Sequence, residues 1–129
     1  MSATYQYFVN HTLKINYEII IGEISVAEII ERRTAIINSI DYNDKYNMLV
    51  DIREATITDF PKNISTYIKF IGEISKFRNM KRKCAFLTSK PADVVNTELV
   101  KHDLDKLNTG LKIQIFSTES AAMHWLTNS

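Results

Sequence analysis

Two short, almost unbroken apolar runs, NMLVDI at 47–52 and RKCAFLT at 82–88, constrain the fold more than any other feature of the chain. A strand with one face in water alternates apolar and polar residues, whereas a run without alternation has to be covered on both faces. Each run is followed by a helical pattern, the arrangement of inner parallel strands joined by crossover helices. The two runs are therefore assigned as the third and fourth strands of an α/β sheet.

The flanking segments supply the remaining elements. Leu13, Ile15, Tyr17, Ile19 and Ile21 alternate with Lys14, Asn16 and Glu18, which predicts a second strand with the odd positions buried and the even ones in water. Tyr5, Tyr7 and Val9 suggest a strand before it, the polar NHT between them reads as a hairpin turn, and Gly22 is expected to close the pair. Ser25 and Glu28 have capping-box spacing, so a first helix is predicted with Val26, Ile29, Ile30, Ile36, Ile37 and Ile40 on its stripe and DYND as its stop. Arg33 falls on that stripe. It is read as a snorkelling arginine at the stripe's border in preference to a member of a buried ion pair.

Pro61 suits the first position of a second helix, which carries Ile64, Tyr67, Ile68, Phe70, Ile71, Ile74 and Phe77. At helical spacing these cover about 180° of the circumference, against the roughly 100° that core contact requires, and Phe70 and Phe77 lie on the surplus edge. After Pro91 the chain is expected to stay irregular to an N-cap at Asn96 or Thr97, with Val100, Leu104 and Leu107 marking a third helix that ends near Gly110. LKIQIF alternates as a fifth strand, and Ser117 or Thr118 caps a last helix with Ala121, Ala122, Trp125 and Leu126 on one face. The order is β-β-α-β-α-β-α-β-α. It predicts one α/β domain over residues 1–129, with a five-stranded mixed sheet, an antiparallel first strand and about four helices.

The order of elements, the apolar strand ending in the aspartate of VDIREATITDF with a helix soon after, and the closing IQIFSTESAAMHWL together resemble the SpoIIAA-like, or STAS, superfamily. In relatives of this kind the last strand commonly ends in phenylalanine and leads into a helix with a glutamate, a small pair and Trp-Leu, here Phe116, Glu119, Ala121, Ala122, Trp125 and Leu126. The resemblance implies a regulatory or scaffold module that binds a protein partner. In the anti-sigma-factor antagonists of the superfamily a phosphorylated serine sits at the N-terminus of the helix after the third strand. With Asp51 on the first motif aspartate and Asp59 on the second, Phe60 and Pro61 fall where the serines would be, and neither can take a phosphate. The resemblance thus implies a loop site of Asp51, Arg53, Thr56, Thr58 and Asp59 that has lost or altered its switch, with the two threonines as displaced hydroxyls.

Other chemistries find little support. Asp51 and Asp59 could share acid and base work, but no motif fixes their distance, and capping or surface duty is the simpler reading. His11, His102 and His124 lack metal-site spacing, and Gly22, Gly72 and Gly110 are too scattered for a phosphate loop. No enzyme, metal or cofactor is expected. The formal net charge of +1 gives no overall field for nucleic acid. The single Cys84 sits in an apolar strand and reads as a buried, inert thiol, and no apolar stretch reaches the roughly 18 residues of a membrane span. A cytoplasmic protein is the expectation.

Lys76, Arg78, Lys81, Arg82 and Lys83 cluster after the second helix. They read as cations complementing the helix terminus, or more sharply as an anionic docking patch beside Phe70 and Phe77. The candidate recognition face is accordingly Phe70, Ile74, Phe77 and Arg78. Two functions stay open at this point: a binding module for a protein partner, as monomer or homodimer, and a carrier of a small apolar or lipid-like ligand.

Overall fold

The computed structural model describes residues 3–128. The elements are β1 (Thr4–Asn10), β2 (Ile15–Ile24), α1 (Val26–Ile37), β3 (Asn47–Ile57), α2 (Ile64–Ile74), β4 (Lys83–Leu87), α3 (Pro91–Asp105), β5 (Lys112–Phe116) and α4 (Glu119–Thr127). The expected β-β-α-β-α-β-α-β-α order is the observed one. The sheet order is β1-β2-β3-β4-β5, with β1 antiparallel to β2 and every other pair parallel. Helices α1, α2 and α3 cover one face and α4 the other. The larger core joins Ile20, Ile29, Val50, Tyr67, Phe86 and Val100 under the three helices. The smaller core joins Ile15, Leu49, Ala85, Leu87, Ala122 and Leu126 under α4.

Cys84 and Ala85 are buried on opposite faces of β4, as the missing alternation requires. β2 departs from expectation for the same reason. It lies between β1 and β3, so Asn16 and Glu18, expected in water, are buried, Asn16 against the Asn43 carbonyl beyond α1 and Glu18 against Arg33 of α1, while Ile15 and Tyr17 face α4. Leu13 lies in the hairpin turn and is exposed. Gly22 does not end the strand: it sits inside it at φ 97°, just past a register shift against β3 between Ile19 and Ile21.

Five helix boundaries also move, among them the end of α3, which stops at Asp105 and leaves Leu107 beyond it. Ser25 caps α1 with the full capping box, but the helix stops at Ile37 and leaves Ile40 exposed beyond it. α2 begins at Ile64 after Asn63 rather than at Pro61, because residues 58–60 are held as a turn by the Thr58 N–H on the Ile24 carbonyl and the Phe60 N–H on the Ile57 carbonyl. α2 ends at Ile74, so Phe77 lies past it and not on its stripe. α3 begins at Pro91 itself, at the helix position where a missing N–H costs nothing, and Thr97 is interior, its hydroxyl donating to the Asp93 carbonyl at 2.7 Å. Exposed Val95 and Leu99 blur the apolar stripe of α3, which hid its first two turns. Thr118 caps α4, with Ala122 and Leu126 buried and Ala121 exposed.

Candidate functional site

The segment expected as one loop site, Asp51 to Asp59, is strand as far as Ile57 and divides its side chains between two duties. Asp51 is in register with Ile19 on the α4-facing side of the sheet. Arg53 folds back on it, donating from Nε to Oδ1 at 3.0 Å and from Nη2 to Oδ2 at 2.8 Å, while its backbone N–H reaches Oδ1 at 3.1 Å. Burial would raise the Asp51 pKa, but these bonds and the guanidinium charge outweigh it and hold the carboxyl below its usual range. Asp59 serves the opposite side: Oδ1 accepts the first N–H of α1, from Val26, at 2.9 Å, and Oδ2 accepts from Asn63 at 2.8 Å. Such a carboxylate satisfies an orphan helix donor and meets the positive end of the helix. Thr58 donates its hydroxyl toward the Ile24 carbonyl at 3.4 Å, and Thr56 is exposed. The five residues thus form no convergent site.

Beneath α1 lies a buried polar network. Glu18 is 1% exposed and Arg33 5%. Arg33 donates to Glu18 Oε1 from Nε at 3.2 Å and from Nη2 at 3.0 Å, and also to the hydroxyls of Tyr67 and Tyr5. The Tyr5 hydroxyl donates in turn to Glu18 Oε1. Arg33 is therefore a buried ion-pair partner and not the snorkelling residue that was expected. Burial alone would lower its pKa, yet the opposing charge of Glu18 and the tyrosines raises it. Burial raises the hydroxyl pKa values of Tyr5 and Tyr67 and pushes the Cys84 thiol up to about 12. Two apolar crevices, each of about 30 Å³, both touch Arg33 and Tyr67.

The second candidate set does assemble. Phe70, Ile74, Phe77 and Arg78 line one open cleft of about 310 Å³, with Thr34 and Ile37 of α1 and its C-cap Asn38 as the other wall. Phe70 is half-buried against Tyr67, with ring centroids 6.4 Å apart, whereas Phe77 is 84% exposed. Arg78 donates from Nη2 to the Ile37 carbonyl at 3.0 Å, satisfying a terminal carbonyl of α1 and fixing the cleft's floor. The five neighbouring cations do not make one patch. Arg82 is buried and donates to the Tyr46 carbonyl and the Tyr42 hydroxyl. Lys83 caps the end of α4 through the carbonyls of Trp125 and Asn128, and Lys76 pairs with Glu73.

Among known proteins, no family model matches the chain, and no curated protein matches it. A solved structure does: an uncharacterised DUF3478-family protein from Shewanella loihica PV-4, described as having a SpoIIAA-like fold. It superposes with a TM-score of 0.59 over 96% of this chain and 93% of its own, at 13% sequence identity. The fold is SpoIIAA-like.

At that identity the SpoIIAA-like likeness is one of fold, and residue roles rest on this chain's own geometry. The helix N-terminus after β3 has Asn63 as its cap, and the preceding aspartate is committed to α1. Sequence reasoning missed the Glu18–Arg33–Tyr5–Tyr67 network. Arg33 on the apolar stripe of α1 was its one visible sign, and the partner carboxylate was hidden by the reading of β2 as half in water. No helix among the described residues is long and apolar enough to cross a membrane.

Proposed function

We propose that this SpoIIAA-like domain is a non-enzymatic binding module that docks a protein partner at the cleft between the C-terminal ends of α1 and α2. The observation that carries this is Phe77, a large aromatic left in water beside half-buried Phe70 and Ile74. Burying a phenylalanine against a partner stabilises a complex by about 1.5–3 kcal/mol, and exposed aromatics flanked by arginine are the usual anchors of protein interfaces. The carrier alternative finds less support, since each interior crevice of about 30 Å³ has room for roughly two water molecules. A cytoplasmic setting suits a module whose one cysteine is a buried free thiol.

The test places a photo-crosslinking phenylalanine analogue at position 77 and, as control, at position 40, where Ile40 is equally in water. A discrete protein partner captured from position 77 alone supports the reading, together with at least tenfold weaker binding of that partner by Phe77→Ser at unchanged circular dichroism. Equal capture from both positions, or unaltered binding by the folded Phe77→Ser variant, overturns it.

A further inference from the structure

The free edge of the sheet at β5 lies at the bottom of a second groove, of about 540 Å³, unrelated to the Phe77 cleft. One wall is α3, through Lys101 and Asp105, and the other is α4, through Trp125; Lys112 and Gln114 of β5 run along its floor, and Lys83 reaches into it. On the inner side, β5 is bonded to β4: the Lys112 N–H donates to the Arg82 carbonyl at 2.9 Å, and the Phe116 carbonyl accepts from Thr88 at 3.0 Å. Backbone groups in a parallel ladder alternate between the two sides of a strand. Residues 112, 114 and 116 therefore face β4, and Ile113 and Ile115 turn their N–H and C=O groups outward. Among the described residues no strand pairs with that edge.

We propose that this groove accepts an extended acidic peptide segment, which adds to the sheet as a sixth strand alongside β5. Unpaired N–H and C=O groups are a template for strand addition and supply affinity through main-chain bonds, while the flanking side chains select the sequence. Here Lys83, Lys101 and Lys112 face a single carboxylate, Asp105, so the groove is positive. Lysines on an edge discourage pairing between identical copies, because two β5 edges laid together would bring both lysine sets within a Debye length of about 8 Å. The same charges attract an acidic strand. Trp125, tilted against Phe116 with ring centroids 5.6 Å apart and at 5.3 Å from the Lys83 ammonium, offers an apolar wall to alternate side chains of the added segment.

Trp125 is also the only tryptophan in the chain, so the site carries its own reporter. The probe is a capped hexapeptide of alternating glutamate and valine, titrated against the full chain at 50 and 200 mM salt. A saturable change in Trp125 emission is expected, weaker at the higher salt, and weakened about tenfold further in the Lys101→Glu, Lys112→Glu double variant, in which position 112 is exposed and position 101 half-buried. The same peptide with N-methyl groups on alternate residues retains the charges but loses the ladder donors, and its response should vanish. No emission change overturns the proposal, as does an equal response to the N-methylated peptide, which means electrostatic adsorption only. So does a dimer in sedimentation that the peptide does not dissociate, since a second copy then holds the edge.

Discussion

Arg33→Met isolates the energetics of the buried network. Methionine fills a similar volume but removes all four guanidinium contacts, to Glu18 twice, Tyr5 and Tyr67. What remains is a carboxylate 1% exposed, with the Tyr5 hydroxyl on Oε1 and no partner on Oε2. Removing one member of a buried pair costs about 3–5 kcal/mol, because the remaining charge is neither hydrated nor compensated. That is a fifth or more of the stability of an ordinary domain, about 5–15 kcal/mol, and for a chain of this length corresponds to roughly 10–18 °C in Tm. Glu18→Leu alone strands the opposite charge and should cost a similar amount. The double variant strands neither, losing only the hydroxyl partners of Tyr5 and Tyr67, so the two costs should fall short of adding by at least about 2 kcal/mol. Urea unfolding of the four proteins at constant m-value measures this. Tyr67→Phe, expected to cost about 1 kcal/mol, keeps the cycle readable if a charge variant fails to fold. Additivity to within about 0.5 kcal/mol, or a cost below about 1 kcal/mol for Arg33→Met, would refute the assignment of a coupled buried pair.

Two further outcomes follow from the same charge logic. Arg53→Ala should destabilise the protein at pH 7 by only about 0.5 kcal/mol, since the arginine of the pair is 37% exposed. Asp51 has a folded pKa below its ordinary 3.8, so the pair's contribution is present above that value and is lost as pH falls through the lowered one; urea midpoints of wild type and variant should converge in strong acid, and a constant gap would contradict the pairing. Cys84, buried and with its thiol pushed up to about 12, should react with a thiol reagent at pH 8 only at the rate of unfolding, so labelling that proceeds at the pace of a free thiol counts against its burial.

The elements that could be read in advance were those whose signal is local. Ser25 and Glu28 cap α1 because four residues suffice to form a capping box, and the lack of alternation in β4 reports on both of its faces without knowledge of what covers them. β2 was misjudged because alternation reports a half-buried strand only if one face is in water. In this chain the even face buries Glu18 as one half of an ion pair, so polarity there is not a mark of solvent. The partner lies 15 residues along the chain, across a strand end and two helical turns, and nothing in either residue's neighbours specifies the other. The same limit applies to Asp59, whose contact with Val26 spans 33 residues. A motif aspartate before a helix reads as a property of that helix; here the carboxylate also terminates a different one.

The apolar surface makes the complementary case. Summed around a helical wheel, Phe70 and Phe77 were surplus to the core of α2, and that sum assumed a helix reaching Phe77. The helix stops at Ile74, yet Phe77 is still in water, now on a turn held by its own N–H on the Ile74 carbonyl at 2.9 Å and by the neighbouring Arg78 on α1. A turn position tolerates any side chain, so folding does not call for an aromatic there. Half-buried Phe70 is accounted for by its contact with Tyr67 and the core, and a serine in its place would unsettle that packing. A serine at position 77 would leave every intramolecular contact of the core in place. The two phenylalanines that looked equivalent in sequence therefore separate into one that the fold needs and one that it does not, and only the second can report on binding without also reporting on stability.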